Sequence, residues 1–291
     1  MLVDSVEGNR QRLDGGAMFG SVPHALWSRW IAPDQRMRIP LAARGFLIRD
    51  QASQRLTLLE AGIGAFFEPK LADRYGVDGE GHVLLASLEA LGVAPEDIDF
   101  VVLSHLHFDH AGGLLAAYSA NRRPELVFHR AQFIVGKRAF ERAENPHPRD
   151  RASFIPELPG LLRDSGRLRL IDDDGQSFRE LLGDRFSCRF SDGHTPGMLL
   201  TEVRGDARKV VFCGDVIPGL PWVHVPVAMG YDRFPERVID EKRALLEQCV
   251  SEHTMLLVTH DPTHVACDVA CDERGRYRPI EPRTALRSFA I

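Results

Sequence analysis

Four potential metal ligands stand directly after one short apolar run, and they constrain the fold more than any other part of the sequence. The run Val101-Val102-Leu103 has the pattern of a buried strand, and His105, His107, Asp109 and His110 follow it. Alternate residues of an extended segment point the same way, so His105 and His107 can share one metal. Asp109 and His110 come after a turn and can face a second metal. The motif predicts a metal centre at the end of a sheet.

Three further potential ligands occur at one kind of place downstream. His194, Asp215 and His260 each follow a short apolar run, and Gly or Pro stands close to each of them. Sheet ends that carry ligand loops are a common way to build a site on a rigid scaffold. The sequence therefore predicts that these three side chains join the first four at one edge of the fold.

The ligand types divide into two sites by their chemistry. One site takes the nitrogens of His105, His107 and His194, the other takes Asp109, His110 and His260, and Asp215 bridges the two with its two oxygens. Imidazole with carboxylate suits Zn²⁺ and tolerates Mn²⁺, Fe²⁺ or Co²⁺. Two such metals about 3.5–4 Å apart hold a bridging hydroxide as a nucleophile at neutral pH. We expect two divalent ions, with Zn²⁺ the expected metal, and Asp109 and Asp215 as catalytic candidates that move the proton.

Short apolar runs alternate with helical patterns, which indicates an α/β fold whose sheets are covered by helices. Strands are predicted at residues 45–48, 56–59, 100–103, 126–128, 168–171, 186–190, 198–203, 210–213 and 255–258, and helices at 82–91, 130–142 and 235–250. The acidic run 172–175 predicts a solvated turn. No segment has the composition of a flexible linker, so a single domain over residues 1–291 is predicted.

Composition and charge limit the classes of binding partner and the cellular location that we expect. The 36 basic residues face 41 acidic ones, a net charge of −5, which argues against nucleic-acid binding. The longest uncharged stretch, residues 216–231, is broken by prolines and too short to span a bilayer. The N-terminus lacks a signal-peptide pattern, and the five cysteines show no disulfide framework. We expect a cytoplasmic protein with no nucleic-acid or membrane partner.

The ligand pattern resembles that of the metallo-β-lactamase superfamily, in which His-x-His-x-Asp-His is followed by His, Asp and His. All seven positions are present, and the resemblance spans roughly residues 40–265. It implies a four-layer αββα sandwich with the metals at one edge between two β-sheets. Where the family usually has Asp-Thr-Gly after an early strand, this chain has Glu60-Ala61-Gly62. Glu60 is expected to support the metal loop in place of that Asp.

Further motifs resemble the branch that contains N-acyl homoserine lactonases and methyl parathion hydrolases. They are residues 15–23, Gly62-Ile63-Gly64, residues 213–218 and Gly230-Tyr231-Asp232. This resemblance implies hydrolysis of a small ester or lactone, N-acyl homoserine lactones among them, by attack of the metal-bridging hydroxide. Several lactonases carry a Tyr three residues after the bridging Asp. Here that position is Pro218, and Tyr231 is the candidate for a related role.

Two alternatives stay open. A phosphoesterase acting on phosphotriesters or phosphodiesters is the second enzymatic reading, because phosphoryl oxygens fit the same pair of metals. A binding module that kept the fold without catalysis should have lost ligands, and none is lost here. The number of bound metal ions distinguishes the binding module from the two hydrolase hypotheses, because two ions per chain favour an enzyme. A secreted β-lactamase is disfavoured because position 215 is Asp where those enzymes have Cys.

Eight apolar residues are candidates for a substrate pocket or lid, and packing of the N-terminal segment onto the core is the alternative. They are Met18, Phe19, Trp27, Trp30, Phe66, Phe67, Trp222 and Met229. The side chains predicted to contact substrate are Phe19, Trp27, Trp222, His224 and Tyr231. Residues 1–40 are expected to form a pocket wall or a subunit contact, the latter in a homodimer. An apolar wall favours a substrate with an acyl or aryl group over charged sugars or nucleotides.

Overall fold

The computed structural model describes residues 1–79, 81–172 and 175–291. Within these residues the strands are β1 (Leu2–Val6), β2 (Gln11–Asp14), β3 (Arg38–Leu41), β4 (Gly45–Arg49), β5 (Leu56–Leu59), β6 (Phe100–Val102), β7 (Gln132–Gly136), β8 (Leu168–Ile171), β9 (Phe186–Ser191), β10 (Met198–Arg204), β11 (Lys209–Phe212), β12 (Met255–Leu257), β13 (Ala266–Cys271), β14 (Tyr277–Arg283) and β15 (Phe289–Ala290). The α-helices in the same ranges are α1 (Gly15–Phe19), α2 (His24–Trp27), α3 (Pro69–Arg74), α4 (Val83–Glu89), α5 (Phe108–Ala111), α6 (Lys137–Glu144), α7 (Leu158–Asp164), α8 (Gln176–Leu182) and α9 (Pro235–Glu252). The turn predicted at 172–175 includes residues 173 and 174, which lie outside the described ranges.

Two mixed sheets and a short ribbon account for the strands described above. The first sheet has seven strands in the order β15-β1-β4-β5-β6-β7-β8, and the second has six in the order β14-β13-β12-β11-β10-β9. Strands β5 to β8 run parallel, and so do β11 and β12. Strands β2 and β3 form a separate antiparallel ribbon.

Side chains of each sheet divide between two apolar layers because successive strand residues point to opposite faces. In β4, Phe46 and Ile48 lie in the core between the sheets, whereas Leu47 packs in the layer that contains Leu84 of α4. In β11, Phe212 lies between the sheets and its neighbour Val211 packs in the layer that contains α9. The order of layers is helix, sheet, sheet, helix, which confirms the αββα sandwich predicted from the sequence.

Two sequence-based element assignments were wrong. Residues 130–142, predicted as one helix, form β7 followed by α6. Its run Phe133, Ile134 and Val135 is fully buried, and a short continuous apolar run suits a central strand as well as a helix. Residues 126–128, predicted as a strand, make only an isolated bridge from Leu126 to Leu115.

Four strands end at the same distance from a predicted ligand. β6 ends at Val102, β9 at Ser191, β11 at Phe212 and β12 at Leu257. In each case the candidate ligand is the third residue beyond the strand end. The two sheets thus carry four ligand loops to one end of the sandwich. Among the described residues, no helix combines the length and hydropathy of a membrane span.

Candidate metal centre

All seven predicted ligands meet at this end of the sandwich. Their donor atoms fall into three overlapping groups in which every atom lies within 4.8 Å of the others. The groups are His105 with His107 and His194, His105 with His110 and Asp215, and Asp109 with His110 and His260. The four loops therefore converge on one compact cluster of imidazoles and carboxylates.

The first half of the centre consists of His105, His107 and His194, with one oxygen of Asp215. Nε2 of His105 lies 3.0 Å from Nδ1 of His107, and Nε2 of His194 lies 3.3 Å from the same Nδ1. Oδ2 of Asp215 lies 3.3 Å from Nε2 of His194. Three nitrogens thus lie within 4.8 Å of one another, with an Asp215 oxygen next to the nitrogen of His194.

The second half of the centre consists of Asp109, His110 and His260, with the other oxygen of Asp215. Nε2 of His110 and Nε2 of His260 lie 3.1 Å apart, and Oδ1 of Asp215 lies 3.3 Å from each. Oδ2 of Asp109 lies 3.6 Å from Nε2 of His260. Asp215 is the member shared by both halves, and its bridging role stays a prediction.

The hydrogen bonds on the outer side of the imidazoles fix which nitrogens face the centre. Nδ1 of His110 contacts Oε2 of Glu60 at 2.8 Å, and Nδ1 of His194 contacts Oδ1 of Asp232 at 2.8 Å. Nδ1 of His260 contacts the backbone oxygen of Ala42 at 2.7 Å. Because carboxylate and carbonyl oxygens only accept, each Nδ1 carries the proton and donates it. The Nε2 lone pairs are left pointing inward.

These donors fit a pair of divalent cations. Ligand atoms at 2.0–2.1 Å around a tetrahedral Zn²⁺ lie about 3.3 Å apart, close to the spacings within each half. Oδ1 of Asp215 is buried and has no hydrogen-bond partner among the described residues. Buried polar atoms are normally satisfied, so converging lone pairs around an unpaired carboxylate oxygen indicate a cation between them.

The electrostatics of the cluster agree with this fit. Burial and the neighbouring imidazoles hold the pKa of His105 and of His107 well below the usual histidine value. Burial acts against charge on His110 as well, but the carboxylates of Asp215 and Glu60 raise its pKa well above that value. Burial alone would raise the pKa of Asp215, yet the imidazoles of His110 and His260 hold it well below the usual range. A ligating imidazole must be neutral with one lone pair free, so a metal would compete with a proton for Nε2 of His110.

Glu60 supports the metal loop, as expected from the Glu-Ala-Gly sequence. Besides its bond to His110, its Oε1 accepts a short hydrogen bond from the backbone N–H of Ser104. Its backbone has φ of 67°, a left-handed conformation that non-glycine residues adopt at a cost. Glu60 therefore links the end of β5 to both ends of the His-x-His-x-Asp-His loop.

Two supporting residues were missed by the sequence analysis. Asp232 is 1 % exposed, orients His194, and accepts a second hydrogen bond from the backbone N–H of Met229 at 2.7 Å. Gln11 is also 1 % exposed and donates from Nε2 to Oδ2 of Asp109 at 2.6 Å. Asp232 stood in a motif that marked a resemblance without a role, and no pattern around Gln11 pointed to the centre.

An aromatic cavity of about 450 Å³ lies beside the first half of the centre. The ring of Phe154, in its wall, contacts the ring of His107 edge-on with centroids 4.8 Å apart. Phe108, between two candidate ligands in the chain, also lines it. The remaining aromatic lining comes from Phe66, Phe67, Tyr75 and Tyr118, with Arg122, Arg123 and Glu125 also in the wall. This is an apolar space with a few polar groups, as small-molecule sites usually are.

The five predicted substrate contacts lie in three different places. Phe19 stacks on Trp222 at 4.5 Å and on Trp27 at 5.6 Å between ring centroids, and all three are buried in the layer over the second sheet. Packing accounts for these aromatics, and their contact with a substrate stays an untested prediction. His224 is exposed in a different groove, together with Trp30.

Tyr231 is the fifth predicted substrate contact, and the carboxylate of Asp109 is among the charges that act on its hydroxyl. It is 39 % exposed, and burial of its hydroxyl with the nearby carboxylates of Asp109 and Asp14 raises its pKa to about 12. The phenol is therefore neutral and able to donate a hydrogen bond.

Comparison with known proteins identifies the family to which this fold and ligand cluster belong. The family model described as the metallo-β-lactamase superfamily matches residues 45–260. The N-acyl homoserine lactonase AttM of Azorhizobium caulinodans is 32 % identical over 117 residues, which cover 39 % of this chain and 38 % of that relative. The match thus spans well under half the length of this curated relative.

Solved structures match over nearly the whole chain. A probable metal-dependent hydrolase from Staphylococcus aureus is 26 % identical, with a TM-score of 0.84 over 99 % of this chain and 98 % of that one. AidC, a dizinc quorum-quenching lactonase in complex with a product, has a TM-score of 0.71 at 20 % identity. This match covers 96 % of the present chain and 93 % of the AidC chain. The second likeness shows the shared fold.

Proposed function

The chain belongs to the metallo-β-lactamase superfamily, and from this premise we propose that it is a metal-dependent hydrolase that opens a lactone or cleaves an ester carrying an apolar arm. The observation that carries the proposal is the pair of inward-facing donor sets joined by Asp215, next to an aromatic cavity. The relative in Azorhizobium caulinodans, named an N-acyl homoserine lactonase, supports the lactone as the first substrate class to test.

We propose His105, His107 and His194 as ligands of one ion and Asp109, His110 and His260 as ligands of the other, with Asp215 shared. Two bound divalent ions, expected to be Zn²⁺, supply Lewis acidity and an activated water at neutral pH. The protein's own part is to hold the lone pairs in place through Glu60 and Asp232.

The side chains around the centre have distinct tasks in hydrolysis. Of the two acidic ligands, Asp109 has the more exposed side chain, with 13 % of its surface exposed against 8 % for Asp215. It is the group placed to take the proton of the water that adds across the carbonyl. Tyr231 offers a neutral hydroxyl on the same side, where it can donate to a substrate oxygen. The rings of Phe154 and Phe108 keep water from the apolar arm.

The N-terminal residues take part in this proposal. We propose that residues 1–291 form one domain, because β1 and β15 come from opposite parts of the chain and pair in one sheet. Residues 1–40 supply Gln11 to the centre and place Met18, Phe19 and Trp27 in the layer over the second sheet. A homodimer and a cytoplasmic location remain predictions.

A substrate screen tests the proposal. The Zn²⁺-loaded protein is assayed with N-acyl homoserine lactones of increasing chain length, aryl esters, an aryl phosphotriester and a phosphodiester. We expect lactone or ester hydrolysis, with kcat/KM rising with the length of the apolar arm. Turnover of the phosphoesters alone would support the phosphoesterase alternative, and fewer than two bound metals together with no turnover of any substrate would support a binding module.

The cavity is tested with one variant and one control. Phe154→Ala is expected to raise KM for long-chain substrates by about tenfold and to leave short-chain lactones little changed, because one or two buried methylene groups are worth about 1 kcal/mol each. Phe19→Ala should lower the free energy of unfolding by about 3–5 kcal/mol, as is usual for a buried Phe, without a change in KM that depends on chain length. Equal changes in KM for short and long chains in Phe154→Ala would exclude this cavity as the site of the arm.

A further inference from the structure

Gln11 reaches the metal centre from a part of the chain that precedes the family match. It is the first residue of β2, and its backbone pairs with Leu41 of β3. Its side chain is buried and donates from Nε2 to Oδ2 of Asp109 at 2.6 Å. An ionised carboxylate only accepts, so this contact fixes which end of the amide faces Asp109.

Asp109 has particular need of such a partner. Its side chain is more exposed than those of the other ligands of the second half, and it stands in the four-residue helix α5. Its Oδ1 lies 3.9 Å from Nε2 of His110, and its Oδ2 lies 3.6 Å from Nε2 of His260. A hydrogen bond from Gln11 restricts rotation of the carboxylate and keeps both oxygens turned toward these imidazoles.

The residues around Gln11 anchor it firmly to the sandwich. Asn9 donates to the backbone oxygen of Gly81 at 2.9 Å and accepts from the backbone N–H of Val83 at 3.1 Å. A Cβ at Gly8 would lie 2.2 Å from the backbone oxygen of Ala43, so the chain passes too close there for any larger residue. Gln11 is thus held by its neighbours as well as by its own contact.

A second observation marks Gln11 as more than a packing residue. Its Oε1 is buried and has no hydrogen-bond partner within the described ranges. An apolar residue of the same size would avoid that unsatisfied oxygen, whereas only an amide or another donor can hold Asp109. The amide of Gln11 thus leaves one buried oxygen unpaired but supplies the N–H that contacts Asp109.

We propose that Gln11 is a positioning residue for the second half of the centre. Its amide holds the carboxylate of Asp109 toward His110 and His260 and so sets the affinity of that half for its ion. The first half has no contact with Gln11 among the hydrogen bonds of the described residues. This inference rests on the proposed two-metal centre.

The test is a titration of the metal-free protein with Co²⁺, followed by visible absorption and by competition with a chelator. Gln11→Met keeps the volume of the side chain and removes the donor, and Gln11→Leu excludes a contribution from the thioether. Gln132→Met makes the same change in β7, at the end of the strand away from the centre. Removing a hydrogen bond that orients a ligand typically costs about 10–100-fold in metal affinity.

We expect the dissociation constant of the second half to rise about 10–100-fold in both Gln11 variants. The dissociation constant of the first half, both constants of Gln132→Met and the melting temperature of the metal-free protein should be unchanged. A second constant within threefold of the wild type would overturn the role of Gln11. So would an equal loss in both halves, because that would indicate a general effect on folding. Fewer than two bound Co²⁺ ions in the wild type would instead refute the two-metal centre on which the inference rests.

Discussion

The two halves of the metal centre are alike in their ligands and different in what holds those ligands. In the first half, His194 is oriented by Asp232 and His105 contacts the hydroxyl of Ser104, and both supports lie within the family match. In the second half, Glu60 orients His110 from within the match, but Ala42, which orients His260, and Gln11, which contacts Asp109, both precede residue 45, where the match begins.

A buried arginine extends the second arrangement. Arg44 is 1 % exposed, and its Nη1 donates to the backbone oxygens of Asp261 and His264 at 2.7 and 2.9 Å. Its Nε donates to Glu7 at 2.9 Å. The loop that carries His260 is therefore fastened to the N-terminal residues. From this contrast we expect that a change in the first 44 residues can alter the second half of the centre while the first half stays in place.

Removing the shared ligand breaks both halves at once and should have the largest effect. Asp215→Ala deletes the one oxygen pair that faces both sets of imidazoles. Metal-assisted stabilisation is worth several kcal/mol, so turnover of the best substrate should fall by on the order of 10³. Elemental analysis of the variant should show fewer than two ions per chain.

His105→Ala and His194→Ala belong to the same experiment and should strip the first half. His129→Ala is the control, since His129 is exposed and belongs to no ligand group among the described residues. Wild-type activity in the Asp215, His105 and His194 variants together would show that the ligands have been wrongly assigned.

Loading each half should stabilise the folded chain in a separate step. A ligand that binds only the native state adds about 2.7 kcal/mol at a free concentration 100 times its Kd. For a chain of this size that is a rise in Tm on the order of 5 °C for each ion. Calorimetry with increasing Zn²⁺ should give two increments, and chelation should reverse both. A single increment at two bound equivalents would mean that the halves fill together.

The sequence was informative about the ligands because each one follows an apolar run. The positions of His194, Asp215 and His260 could be predicted in this way, and the structure places all three in the cluster. Their supports could not be predicted by the same means. Gln11 is 98 residues from Asp109, and Ala42 acts through a backbone oxygen that has no residue signature.

The aromatic residues show the same limit from the other side. Phe19, Trp27 and Trp222 lack a strand or helix period, which favoured a substrate role, but they stack on one another under the surface. The rings beside the centre, such as Phe154, stand in loops of mixed composition. Apolar character alone does not distinguish a cavity wall from a packed layer, because both bury the same side chains.

Weakening one support of the first half should complement the Gln11 variants. Asp232→Asn keeps the shape of the side chain but places an amide where His194 Nδ1 needs an acceptor. The affinity of the first half should fall by about 10–100-fold while the second is unchanged. Asp240→Asn makes the same change at an exposed position of α9. If Asp232→Asn and the Gln11 variants weakened the same ion, the division of supports between the halves would be wrong.

The smallest expected effect is a change in the pKa of Tyr231, and it reports on the second half alone. In metal-free protein, burial and the charge of Asp109 raise this pKa to about 12, so the phenol stays protonated up to pH 11. An ion bound by Asp109 neutralises that charge and adds positive charge nearby, and both changes favour the phenolate and lower the pKa. Tyrosinate absorption in the wild type minus that of Tyr231→Phe isolates this residue from the other three tyrosines. The difference should be absent below pH 11 without metal, stay absent when only the first half is loaded, and emerge when the second half fills. An earlier emergence, with the first ion, would place Tyr231 beside the wrong half.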